Sequence, residues 1–100
     1  MTETETTVAE RTDIKIKMPG KYKVILLNDD RTPIDFVISL LMEIFGHTKQ
    51  RATEITLNVH NTGKGVAGVY SYEIAEQKIH ESTNVSRING FPLTLELEEE

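Results

Sequence analysis

A chain of 100 residues and 11.3 kDa has material for one small domain and not for a second independent core. It contains no cysteine, which removes disulfides, thiolate nucleophiles and cysteine-bound zinc from consideration. With 11 basic against 16 acidic residues the net charge is -5, whereas phosphate binding needs clustered Lys and Arg. Neither nucleic acid nor an anionic membrane is therefore an expected partner.

No stretch of the sequence approaches the roughly 20 apolar residues of a membrane-spanning helix, and the first residues lack the apolar run of a secretory signal. A cytoplasmic protein is the expectation. Residues 1–20 are polar, with Val8, Ala9, Ile14, Ile16 and Met18 scattered among Thr, Glu and Lys, and they end at the breaker pair Pro19-Gly20. This composition predicts a flexible extension in front of a domain over residues 21–100.

The apolar, β-branched run Tyr22 to Leu27 predicts a mostly buried strand, stopped by the polar cluster Asn28-Asp29-Asp30-Arg31. A helix is expected next, with Thr32 as N-cap, Pro33 at its first position and Asp35 favourably placed at the positive end of the dipole. Ile34, Val37, Leu41, Ile44 and Phe45 fall on one of its faces, and Gly46 ends it. Thr48 can cap a second helix that runs through Ile55 toward His60 and leaves by Asn61-Thr62-Gly63. Within it Thr56, Val59 and His60 stand at i, i+3 and i+4, and so share a face.

Val66 to Tyr70 reads as a short central strand, with a bulge or close backbone approach expected at Gly68. Ser71 can cap a third helix bearing Ile74, Ala75 and Ile79 on one side and Glu73, Glu76 and Lys78 elsewhere. After the Asn89-Gly90 turn, Leu93, Leu95 and Leu97 alternate with Thr94, Glu96 and Glu98, the pattern of a strand with one wet face. The order β-α-α-β-α-β predicts an α+β two-layer sandwich, a three-stranded antiparallel sheet covered by three helices.

Enzyme chemistry has little to start from. Ser39, Ser71, Ser82 and Ser86 lie in helical or capping contexts, none in a nucleophile elbow, and Gly63-Lys64-Gly65 is a turn sooner than a phosphate cradle. A metal site would have to recruit Asp29, Asp30 and His60, with His47 as a remote fourth ligand, and their spacing fits neither zinc nor calcium loops. No catalytic residue, metal or cofactor is expected. Taken alone, Asn28-Asp29-Asp30 fits turn chemistry and His60 fits a helix-end histidine favoured by the dipole.

The string from Tyr22 through Asn28-Asp29-Asp30-Arg31-Thr32-Pro33 to Val37 resembles the signature of the ClpS adaptor family, bacterial proteins that recognise N-degrons. Val59-His60 ahead of Gly63-Lys64-Gly65, Gly68-Val69-Tyr70, Glu73 to Lys78 and Pro92-Leu93 follow in the family's order, so the resemblance spans Tyr22 to Leu97. It implies an adaptor without enzymatic activity. It would hold proteins with an N-terminal Leu, Phe, Tyr or Trp and deliver them to a ClpAP-type protease as a cytoplasmic, bacterial monomer.

Carried over by position, Asn28, Asp29 and His60 would contact the substrate's α-amino group. Leu26, Ile34, Val37, Thr56, Val59 and Leu93 would line the pocket for its first side chain. Glu73 and Lys78 would meet the N-terminal domain of a ClpA-type AAA unfoldase, and residues 1–20 would take part in delivery. The family commonly has methionine at the positions of Ile34, a gate against β-branched side chains, and Thr56, so these two residues put the order of preference in question. A protein-interaction module related in fold to the C-terminal domain of the ribosomal stalk protein is the competing expectation. That domain gives no reason for Asn28, Asp29 and His60 to converge.

Overall fold

The computed structural model describes residues 20–100; the expected flexible extension therefore lies, but for Gly20, outside the described residues. Strand β1 (Tyr22–Leu27) is the hub, because it is apolar toward both faces: Val24, Ile25 and Leu26 are all buried. It pairs antiparallel with β2 (Lys64–Tyr70) on one side and β3 (Thr94–Glu99) on the other, giving the sheet order β2-β1-β3. Three helices complete the domain: α1 (Ile34–Glu43), α2 (Lys49–Thr62) and α3 (Tyr72–Ile88). This is the expected α+β order with its three-stranded antiparallel sheet, except that the strand over Val66 to Tyr70, expected to be central, lies at an edge and Tyr22–Leu27, apolar toward both faces, takes the middle.

The register explains the bulge. Val24 pairs with Gly68 but Ile25 pairs with Val66, so Ala67 is the extra residue, one position before the glycine singled out in the sequence. The insertion lets Ala67, only 1% exposed, face the core while Val66 faces outward. Gly68 itself is needed by its neighbour, because a side chain there would run into the ring of Tyr70.

Capping follows the sequence at α2, where Thr48 Oγ1 accepts from the Arg51 N–H at 3.1 Å, and departs from it at α1. Pro33, expected inside the helix, is the N-cap with an extended ψ of 143°, and its carbonyl accepts from the Phe36 and Val37 N–H groups. Thr32 instead belongs to the turn before the helix, where its N–H and its hydroxyl donate to the two Asp29 carboxylate oxygens at 2.8 and 2.7 Å. Ser71 occupies the N-cap of α3, but its hydroxyl makes no capping bond.

The core lies between sheet and helices, with Val24, Leu26 and Leu41 fully buried. Helix α3 packs on all three strands, while α2 packs on β2 and on α1. Arg87, in the last turn of α3, donates to the carbonyls of Phe91 and Leu93 at 3.0 and 2.8 Å, fixing the chain as it enters β3. That clamp sets the position of Leu93, which is 2% exposed.

Candidate binding cleft

Where β1 ends, α1 begins and α2 finishes, the fold leaves an open cleft enclosing about 330 Å³ of space continuous with solvent. Its floor is Leu26, Val37, Thr56, Val59 and Leu93, each less than a tenth exposed. Its rim carries Asn28, Asp29 and His60 on one side and Ile34, 43% exposed, at the mouth. All nine residues assigned to the amine contact and the pocket thus line one cavity, although they come from β1, α1, α2 and the segments that follow β1 and precede β3.

One backbone bond brings the two halves of the rim together. The Asn28 N–H donates to the Gly63 carbonyl at 2.9 Å, tying the end of β1 to the end of α2 one turn beyond His60. Gly63 closes that helix with φ +98°, a left-handed conformation that costs a side chain about 1–2 kcal/mol, and its N–H returns to the Val59 carbonyl.

Two residues later the packing is tight. A Cβ on Gly65 would stand 2.9 Å from Val59 Cγ2 and 3.2 Å from Asn58 Nδ2. Gly65→Ala is therefore expected to displace Val59 from the cleft floor and to lower stability by about 1–3 kcal/mol, the usual range for overpacking, as urea denaturation would show.

The rim groups differ in what they have left to offer. Asp29 Oδ1 accepts from the Arg31 and Thr32 N–H groups, both at 2.8 Å, and Oδ2 accepts from the Thr32 hydroxyl. The turn reading of this residue is thus real, and it leaves a negative charge at the rim with about one of some four acceptor sites unused. The side chains of Asn28 and His60 are exposed and make no hydrogen bond among the described residues. The floor contains a single polar group, Thr56, whose hydroxyl donates to the Ala52 carbonyl at 2.8 Å.

Leu27 and Thr32 also line the cleft and were not foreseen. Strict alternation assigns Leu27 to the face opposite Leu26, so periodicity gives no signal for it. Thr32 was legible, because an Asp commonly accepts hydrogen bonds from groups two and three residues ahead. His47, the remote metal candidate, does not line the cleft: its Nε2 lies 2.5 Å from the Ala67 carbonyl oxygen. Among the described residues no three acidic or histidine side chains gather as a metal site would need, and no helix is long and apolar enough to cross a membrane.

Glu73 and Lys78 stand apart from the cleft on α3. Glu73 is exposed in its first turn. Lys78 is half-buried; its ammonium donates to the Ile44 carbonyl at 2.6 Å, at the end of α1, and lies 5.7 Å from the centre of the Tyr70 ring. The mixed-charge face expected of α3 therefore includes one cation that holds two helices together.

An apolar floor beneath acceptor groups and a carboxylate defines a small binding domain for a ligand with a cationic, hydrogen-bond-donating head and an apolar side chain. Residues 17–96 match the sequence profile of the family described as ATP-dependent Clp protease adaptor protein ClpS. The ClpS adapter protein of Bdellovibrio bacteriovorus is 52% identical over 86 residues, covering 86% of this chain and 75% of the relative. That of Helicobacter hepaticus is 47% identical over 87 residues, covering 87% and 88%. The solved structure of Agrobacterium tumefaciens ClpS2 bound to L-phenylalaninamide superposes with a TM-score of 0.79 at 38% identity, covering 82% of this chain and 99% of that one. The chain belongs to the ClpS family of Clp protease adaptors, and the stalk-protein alternative gives way.

Proposed function

We propose that this adaptor binds proteins by their free N-terminus when the first residue is Leu, Phe, Tyr or Trp, and delivers them to a ClpAP-type ATP-dependent protease. The observation that carries the reading is the meeting of Asn28, Asp29 and His60 at the rim of one apolar cleft. A protein's α-ammonium presents only N–H donors, and with a pKa of about 7.7–8.0 it is largely charged at neutral pH. Its natural partners are the Asn28 amide oxygen, an unprotonated His60 nitrogen and the negative charge of Asp29. The first side chain then enters the floor past Ile34, which is stiffer at its branched β-carbon than the methionine common in the family. The Agrobacterium relative is bound to a ligand of this chemistry, an amino-acid amide with a free amine and a phenyl ring.

Delivery uses the other side of the domain in this reading. Glu73 and Lys78 would meet the N-terminal domain of a ClpA-type unfoldase, Lys78 while its ammonium also ties α3 to the end of α1. The protein acts as a cytoplasmic bacterial monomer and transfers its substrate without a chemical step. Fluorescence anisotropy tests the binding half. Peptides beginning with Leu, Phe, Tyr or Trp should bind, and placing one more residue in front should reduce affinity about 100-fold, since the amine and the apolar side chain then no longer sit on one residue.

A further inference from the structure

Thr32 and Asp29 both line the cleft, and two hydrogen bonds join them. The Thr32 N–H donates to Asp29 Oδ1 at 2.8 Å, and the Thr32 hydroxyl donates to Oδ2 at 2.7 Å. The Arg31 N–H also ends on Oδ1, at 2.8 Å. A carboxylate oxygen has about two acceptor sites, so two backbone donors fill Oδ1 and the site left for a ligand belongs to Oδ2. Among the described residues that oxygen is held by one group alone, the Thr32 hydroxyl. We infer that Thr32 is a positioning residue for the α-amino contact, its hydroxyl holding Asp29 Oδ2 in the place from which it accepts a hydrogen bond from the ligand's ammonium. The inference rests on the binding reading above and adds to it a residue that does not itself touch the amine.

The physical argument concerns rotation. The torsion that turns a carboxylate about its Cβ–Cγ bond is broad, so donors that meet at Oδ1 leave Oδ2 a range of positions. The third bond narrows that range before any ligand arrives. Thr32 is suited to this, because its branched β-carbon restricts its own side chain and its N–H is bonded to the same carboxylate, so the two residues lock each other. Without the hydroxyl, Oδ2 has to be ordered at the moment of binding, and that ordering lowers affinity. The negative charge stays in either case, so what is lost is orientation alone.

The test is calorimetric titration with free-amine peptides beginning with Leu, Phe, Tyr or Trp, at a temperature where circular dichroism shows each protein folded. Thr32→Val keeps the branched shape and the backbone bond to Oδ1 and removes the hydroxyl; Thr32→Ser keeps the hydroxyl. Thr32→Val should bind about fivefold more weakly, by the same factor for every peptide, while Thr32→Ser should stay within about twofold of the unaltered protein. In an Asp29→Asn background the valine should bring no further loss, because residues that act through one another are not additive. If the valine variant does not fold, Thr32→Ala removes the same hydroxyl and takes its place in each comparison. Undiminished affinity without the hydroxyl, or the same loss with and without the Asp29 carboxylate, would overturn the inference. So would a loss that differs among the peptides, which would make Thr32 part of the side-chain pocket. Failure of the unaltered protein to bind any of the free-amine peptides would instead remove the binding reading, and the inference with it.

Discussion

His60→Ala is expected to weaken binding of a peptide beginning with phenylalanine about 10- to 100-fold, while thermal unfolding shifts by no more than about 5 °C. The first figure is one hydrogen bond to a charged group, worth about 1.5–3 kcal/mol. The second follows from what His60 does in the folded protein. It is exposed and makes no hydrogen bond among the described residues, and it forms part of the last turn of α2, where a surface charge contributes about 0.3–1 kcal/mol at most. Titration calorimetry and circular dichroism read the two effects separately. A variant that bound normally would show that the imidazole takes no part, and one that melted far below the unaltered protein would make His60 a structural residue.

Asp29→Ala behaves differently, because its carboxylate is at work in the turn before α1. Losing its three hydrogen bonds to Arg31 and Thr32 should cost about 2 kcal/mol of stability and lower the melting temperature by about 10 °C, alongside a more than tenfold loss of affinity. Asp29→Asn separates the two duties. The amide oxygen can still accept from the Arg31 and Thr32 N–H groups, so most of the stability should return. The charge does not return, so binding of an α-ammonium should stay weak. Binding by Asp29→Asn equal to that of the unaltered protein would limit Asp29 to building the turn.

The residues that were legible in the sequence are those whose role is set locally. The run Tyr22 to Leu27 read as a buried strand because it is apolar toward both sides, although the central place had been expected for Val66 to Tyr70, and Thr48 and Gly63 mark the ends of α2 by chemistry that needs no distant partner. Thr56, Val59 and His60 shared a face by helical spacing alone. The start of α1 was misplaced by one residue because Thr32 had two possible duties, capping the helix or bonding Asp29, and sequence spacing permits both. Lys78 read as one charge on a wet helix face. Its bond to Ile44 joins positions far apart in the chain, and no periodicity reports such a contact.

The cleft shows the same division. Its floor residues fit the periods of their elements, and any fold would bury most of them. What no local rule could supply is the meeting of Asn28 with His60, which depends on the bond from the Asn28 N–H to the Gly63 carbonyl across two elements. That meeting entered the sequence reading only through the family resemblance, and the fold places all three rim groups around one cavity. The tertiary bond, and not the composition of the turn, makes a rim out of a turn and a helix end.

The central claim is that these three side chains grip a free α-amino group. Its most direct test is calorimetric titration with one peptide beginning with phenylalanine, in free and N-acetylated forms. Acetylation removes the positive charge and two of the amine's three donors and leaves the phenyl ring unchanged, so affinity should fall at least about 100-fold. Equal binding of the two forms would contradict the account.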